Sequence, residues 1–238
     1  AAQIPNCIPY DPTFAYELAV IIHDGLRRMV KEQEDVYYYI TVMNENYAHP
    51  ELPVGVEAGI LKGMYRLRAG GAGPTRVQLL GSGTILNEVI AAAGLLKQDW
   101  NVEADIWSCP SFTLLARDGN DAARWNLLHP TGKPRASYVE QCLKQTQGPV
   151  VAATDYVRAF AEQIRPFVGR RYTVLGTDGF GRSDTREKLR HFFEVDRHWI
   201  TIASLTALAD EGAFDRGRVA EAIRKYGLDP AKPNPLTV

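Results

Sequence analysis

The sequence predicts an α/β fold, a mostly parallel sheet with flanking helices, and three observations lead there. Short runs rich in β-branched and apolar residues alternate with longer stretches that repeat apolar side chains at helical spacing. Runs such as 77–80 end in glycine or small polar residues that open the next helix. The composition, 45% hydrophobic and 23% charged, suits a chain that builds a buried core, and no internal repeat or low-complexity tract interrupts it.

The elements follow in order. Asp11-Pro12 reads as a helix start, with Asp11 as the cap and Pro in the first turn. Phe14, Leu18, Ile21, Ile22, Leu26, Met29 and Val30 carry that helix to about residue 33. The run 36–42 is short and rich in Tyr, Val and Ile, which predicts a buried strand. Its Tyr37, Tyr38 and Tyr39 point alternately to opposite faces and cannot form one stacking platform. A polar loop broken by Pro50 and Pro53 comes next, and the change in composition places a domain boundary near residue 50. A helix at 56–62 leads to a strand at 64–68, a Gly-rich turn at 69–74 and a strand at 76–80, read as a hairpin. Beyond it lie a helix at 84–97, a strand at 101–107, helices from 111, at 120–128 and at 137–146, and a strand at 149–153. A helix at 154–167, a strand at 172–176 and helices at 185–193, 198–210 and 216–226 complete the chain.

Charge and cysteine usage remove several function classes. With 27 Lys and Arg against 28 Asp and Glu, the net charge of −1 offers no basic excess for nucleic acid or anionic membrane. No apolar run reaches the roughly 20 residues of a membrane helix. Cys7, Cys109 and Cys142 lack a C-x-x-C pair, and the five His show no metal spacing with them, so reduced thiols in the cytoplasm and no metal site are expected. The first residues contain no Met, basic region or apolar region, which reads as a processed chain or one cut from something longer.

Three segments could carry chemistry. Gly81-Ser82-Gly83 sits between strand and helix, where an anion could bind, but the third glycine of a dinucleotide fingerprint is replaced by Leu86. Glu103 and Asp105, the acids nearest the expected spacing, lie inside a strand, so an ordinary tight turn is favoured. The run 176–184 follows a strand, where ligands bind in open α/β sheets; Gly179 and Gly181 predict a turn that buries Phe180, with Ser183 or Asp184 capping the next helix. Asn44, Glu45, Asn46 and Tyr47 also end a strand, and four hydrogen-bonding side chains in a row need water, partners or substrate. The charged segment 182–190 reads as a solvated helix face open to a subunit contact. Periodicity and spacing alone define no catalytic constellation.

Taken together, several blocks resemble one family. Ile4-Pro5-Asn6-Cys7-Ile8, Tyr10-Asp11-Pro12, Asn44-Glu45-Asn46-Tyr47, Ala116-Arg117-Asp118-Gly119, Arg124-Trp125-Asn126, Thr154-Asp155-Tyr156 and the run 175–184 are similar, in order, to the C-terminal portion of the homodimeric bacterial-type pyruvate dehydrogenase E1 component. Phe180-Gly181-Arg182-Ser183 resembles a turn of transketolase-like C-terminal domains generally. The resemblance implies that residues 1–50 end a middle, pyrimidine-binding domain and that 51–238 form a transketolase-like C-terminal domain. It also implies an enzyme using thiamine diphosphate and Mg²⁺ to decarboxylate pyruvate oxidatively and acetylate a lipoyl group of the E2 acyltransferase. Its partners would be the remainder of the E1 polypeptide, a second E1 subunit and E2. The family's Gly-Asp-Gly and Asn-Asn signatures occur nowhere in this chain, so no catalytic, cofactor or metal residue is assigned. Asn44, Glu45, Asn46 and Tyr47 are assigned to the rim of the substrate channel, His49 receives no role, and that of the 178–184 loop stays open. The fragment alone is expected to be inactive. Two other readings remain: a non-catalytic interaction or dimerisation domain using the 178–184 loop and the last helices, and a nicotinamide-dependent oxidoreductase using Gly81 to Gly83.

Overall fold

Two sheets meet tip to tip at the carboxyl ends of their strands in the computed structural model, which describes residues 3–238. The smaller sheet is a parallel pair, β1 (Cys7–Tyr10) and β2 (Tyr37–Ile40). Parallel strands need a long crossover, and α1 (Ala15–Leu26) with a π-helical turn at Arg27–Lys31 supplies it. The larger sheet has the order β3-β5-β4-β6-β7, with β3 (Tyr65–Arg68), β4 (Arg76–Gly81), β5 (Glu103–Ser108), β6 (Val150–Ala153) and β7 (Tyr172–Leu175). Only β3, on the edge against β5, runs antiparallel. The predicted mostly parallel α/β architecture is the one observed.

Alternation along the strands builds a core on each face of the larger sheet. Val77, Leu79, Ile106 and Val151 point to the face covered by α3 (Ile85–Trp100), α9 (Arg197–Asp210) and α10 (Arg216–Lys225). Leu80, Trp107, Val150 and Ala152 point to the other, under α4 (Phe112–Leu128), α5 (Tyr138–Leu143), α6 (Arg158–Glu162) and α7 (Arg165–Val168). A sheet covered on both sides reads as near-continuous apolar strands, as these do. Two short helices remain: α2 (Glu57–Lys62) before β3 and α8 (Arg186–Phe192) after β7. No helix among the described residues is long and apolar enough to cross a membrane.

Several expectations need correction. The hairpin does not form, because β5 lies between β3 and β4. The Gly-rich turn is instead held by the acids of β5. Gly70 N–H donates to Asp105 (2.8 Å) and Gly71 N–H to Glu103 (2.8 Å), while Arg76 bonds Asp105 at 2.9 Å. The two helices expected from 111 and at 120–128 are one, running through Gly119. A Cβ at Gly119 would lie 2.3 Å from the Phe167 ring, so this glycine permits close packing and does not break the helix. The helix expected over 154–167 splits in two, with Pro166 in the first turn of the second piece. The strand at 36–42 is shorter and only half covered: Tyr37 and Tyr39 are exposed, while Tyr38 packs on Gly25 and donates to Asp24.

Asp11 is not the cap of α1. The cap position is Phe14, and the carboxylate serving it is that of Glu17, one turn in. Glu17 Oε2 accepts the N–H groups of Thr13 (2.5 Å) and Phe14 (3.0 Å), and Oε1 accepts the hydroxyls of Tyr65 (2.6 Å) and Ser108 (2.5 Å). Glu17 is fully buried, so these four donors replace its water shell, and they join α1 to β3 and β5. Replacing Glu17 by Ala strands all four donors. A loss on the order of 3 kcal/mol or more is expected in urea unfolding. The exposed Ile22→Ala on the same helix should change stability by less than about 0.5 kcal/mol; equal effects of the two would contradict this role for Glu17.

Candidate functional site

Five strands of the two sheets deliver their carboxyl ends to one seam. After β1, Asp11 donates its N–H to Pro110 O (2.7 Å), beyond β5, and its carbonyl accepts Gly83 N–H (3.1 Å), beyond β4. Thr41, after β2, donates its hydroxyl to Asp11 Oδ1 (3.0 Å) and accepts from Tyr156 Oη (2.8 Å), beyond β6. Ser82 and Thr154 hydroxyls meet at 3.1 Å, and Ser111 Oγ donates to Pro9 O at 2.6 Å. Beside the seam, a cavity of about 420 Å³ opens among Tyr37, Tyr39, Pro110, Thr113, Tyr156 and Phe160.

This arrangement removes the dinucleotide reading of Gly81 to Gly83. Gly83 takes a left-handed conformation (φ +50°), and Asp11 Oδ2 would lie 2.7 Å from any Cβ there. The N-terminal segment therefore fills the space above the turn where a phosphate would sit. Glu103 and Asp105 are occupied by the 69–76 segment.

The 44–47 loop lies where β2 ends, and α8 grips it. Arg186 donates to Asn44 Oδ1 at 2.5 Å. Arg190 takes Glu45 in a two-pronged ion pair, Nη1 to Oε1 at 3.1 Å and Nη2 to Oε2. The same guanidinium donates to Thr84 Oγ1 (3.2 Å) and faces Glu88 Oε1 at 3.6 Å. Behind it, Glu88 receives Arg197 Nε (2.9 Å), Nη2 (3.0 Å) and N–H (3.0 Å). Burial works to raise the Glu88 pKa, but the hydrogen bonds and charge of Arg197, with Arg190 adding to them, hold it below the usual range. At the other end of the loop, Tyr47 donates to Thr13 O, and its ring lies 4.7 Å from that of His49. His49 Nδ1 accepts Ala15 N–H (3.1 Å), serving the first turn of α1. Asn46 is exposed.

A second cavity of about 290 Å³ adjoins this loop, walled by Met43, Asp155, Thr177, Arg182, Arg186 and Arg190. Burial pushes the Asp155 carboxyl up, against the pull of Arg190. The 176–184 turn departs from expectation. Phe180 is 82% exposed, and it is Gly179, at φ +111°, that packs directly on Pro235 O, where a Cβ would come within 2.4 Å. Asp178 turns inward to accept Arg158 N–H (3.1 Å) at the start of α6. The cap of α8 is Thr185, not Ser183 or Asp184. Nor is 182–190 only a solvated face, since the Arg190 side chain is 11% exposed. Sequence reasoning missed Glu17, Glu88, Asp155, Arg186 and Arg190 as members of this network. A signal was present, because Arg186 and Arg190 stand four residues apart and so share one face of the expected 185–193 helix.

Among the described residues no group of three or more His, Cys, Asp or Glu could hold a metal ion. Glu17 and Glu45 are taken up by the donors described above, and Asp11 accepts the Thr41 hydroxyl, so these carboxylates serve hydrogen bonding and ion pairing within the fold. These residues do not fit a metal-diphosphate group.

A sequence model described as the transketolase-like TK C-terminal domain matches residues 63–196, more than half of the chain. The chain belongs to that family. The model of the pyruvate dehydrogenase E1 component middle domain matches residues 1–50. The chain is 72% identical, over its whole length, to the pyruvate dehydrogenase E1 component of Cupriavidus necator, and covers 27% of it. It is 60% identical over 99% of its length to that of Pseudomonas aeruginosa, again covering 27%. It thus spans about a quarter of the length of the curated relatives it matches. Among solved structures it resembles a transketolase from Leishmania mexicana, with a TM-score of 0.59 at 14% identity, over 88% of this chain and 26% of that one. That likeness shows the shared fold.

Asp11 provides the sharpest electrostatic test of the seam. Burial is the main force raising its carboxyl from 3.8 to about 6; the Thr41 and Ser82 hydroxyls oppose the rise, and Asp155 and Glu17 add to it. The folded chain then binds more protons than the unfolded chain between about pH 4 and 6, so this group's contribution to stability falls as pH rises through that window and levels off above it. The size is about 3 kcal/mol. Asp11→Asn removes the charge, so its stability relative to the parent should climb by that amount between pH 4 and 7 in urea unfolding. A difference that does not change with pH would contradict the assignment.

Proposed function

We propose that this chain is the C-terminal portion of a homodimeric pyruvate dehydrogenase E1 polypeptide of the cytoplasm. Within it, residues 1–50 end the middle domain and 51–238 form the C-terminal domain. The complete enzyme decarboxylates pyruvate oxidatively and reductively acetylates the lipoyl group of its E2 partner. Thiamine diphosphate with Mg²⁺ supplies the electron sink for that chemistry when bound. It is held mainly by residues outside this chain. The observation that carries the reading is 72% identity, over the whole chain, to a protein named for this activity.

The chain's own part is to pack the domains, contribute to the subunit contact and shape the substrate rim. Asn44, Glu45, Asn46 and Tyr47 form that rim, at the carboxyl end of a parallel strand where open α/β sheets place ligands. The seam supports this role, because it fixes the end of β2 against the larger sheet through Thr41, Asp11 and Tyr156.

Titration calorimetry tests the division of labour. The isolated chain should bind no thiamine diphosphate with Mg²⁺ present, while the complete E1 polypeptide should bind it and turn over pyruvate. Tight, Mg²⁺-dependent binding to the isolated chain would place the cofactor here and overturn the assignment.

A further inference from the structure

Between Met43 and Pro50 no backbone–backbone hydrogen bond forms among the described residues, so side chains alone hold this stretch. Tyr47 and His49 fasten its far end to Thr13 and Ala15. Its near end, where Asn44 and Glu45 lie, is fastened by α8 across more than 140 residues of sequence. The two arginines there are not equivalent. Arg186 is 45% exposed and reaches Asn44 from solvent. Arg190 is 11% exposed and is aimed by Thr84 and Glu88, while Arg197 in turn fixes Glu88. A buried guanidinium whose orientation is set from behind presents a rigid fork to Glu45 in front.

We propose that Arg190 is a positioning residue for the substrate rim: through its ion pair with Glu45, the C-terminal domain sets the place of the 44–47 loop and thereby the affinity for the 2-oxo acid substrate. Arg190 touches no reacting atom and acts only through the loop. The proposal deepens the reading of Asn44, Glu45, Asn46 and Tyr47 as the rim and rests on it. Losing the fork leaves Glu45 with only the looser 3.8 Å contact to Arg186, while the Arg186–Asn44, Tyr47 and His49 fastenings persist. Substrate and transition state are then weakened alike, which raises KM and leaves kcat near its original value.

The network also supplies a graded test. Arg197→Gln breaks the bonds to Glu88, touches nothing in the loop itself, and loosens the aim of Arg190 from behind. Arg190→Gln, Arg190→Lys, Arg197→Gln and Asn46→Ala would be made in the complete E1 polypeptide, loaded with cofactor, and assayed for pyruvate turnover and thermal midpoint. Expected is a roughly tenfold rise in KM for Arg190→Gln with kcat within about twofold, partly restored in Arg190→Lys. Arg197→Gln should lower the thermal midpoint and raise KM by less than Arg190→Gln does, and Asn46→Ala should raise KM by itself. If Asn46→Ala raises KM while Arg190→Gln and Arg197→Gln shift only the thermal midpoint, the rim stands and the positioning role is overturned. If neither Asn46→Ala nor Arg190→Gln moves KM in an enzyme that turns over pyruvate, the rim assignment itself fails, and the proposal with it.

Discussion

Glu17 sits where water cannot reach it, and a carboxylate there is tolerable only because four donors converge on its two oxygens. Two are the backbone N–H groups that open α1, which would be unsatisfied at any helix start. The other two come from Tyr65 on β3 and Ser108 on β5. One side chain thus both starts a helix and attaches it to the larger sheet. Tyr16 extends the attachment by meeting the Tyr65 hydroxyl at 2.6 Å. Burial and the neighbouring Glu17 push the Tyr65 phenol up. The apolar core follows the same path, since Ile8, Tyr10, Phe14 and Ile21 join the cluster that contains Ile60, Leu79 and Ile106.

With residues 3–50 attached in this way, the carboxyl ends of β1 and β2 fall against those of β4, β5 and β6. The seam that results is made of hydroxyls, backbone groups and one carboxyl, with Asp11 threaded into the Gly83 turn. It leaves the loop after β2 suspended over α8, and Arg190 and Glu88 carry the rigidity of α3 and α9 out to that loop. On the proposed reading of 44–47 as a substrate rim, the element that packs around this loop would also set where the rim stands.

Local patterns carried most of the fold in the sequence. Short apolar runs at 77–80 and 149–153 specified strands, and helical spacing specified α1, α3 and α9. Misreadings arose where a residue serves something far away. Gly119 looks like a helix break and is a seat for Phe167. The glycines at 69–74 look like a hairpin turn, yet Glu103 and Asp105 pull them over the end of β5. Asp11 has the local signature of a cap but belongs to the seam. The loop at 44–47 was legible as a polar stretch in need of partners. Its partner Arg190 was not, because the two members of that pair stand 145 residues apart and each looks solvated within its own segment.

Because Glu17 joins residues 3–50 to the larger sheet, the two should unfold as one unit. Native-state hydrogen exchange on this chain tests it most directly, by comparing the amides of Thr13, Phe14 and β1 with those of β4 and β6 in rising denaturant. The account predicts that both sets converge on the same opening free energy. It predicts further that Glu17→Gln lowers the Thr13, Phe14 and β1 values below those of β4 and β6. Opening of β1 and the start of α1 far below the sheet in the unaltered chain would contradict it.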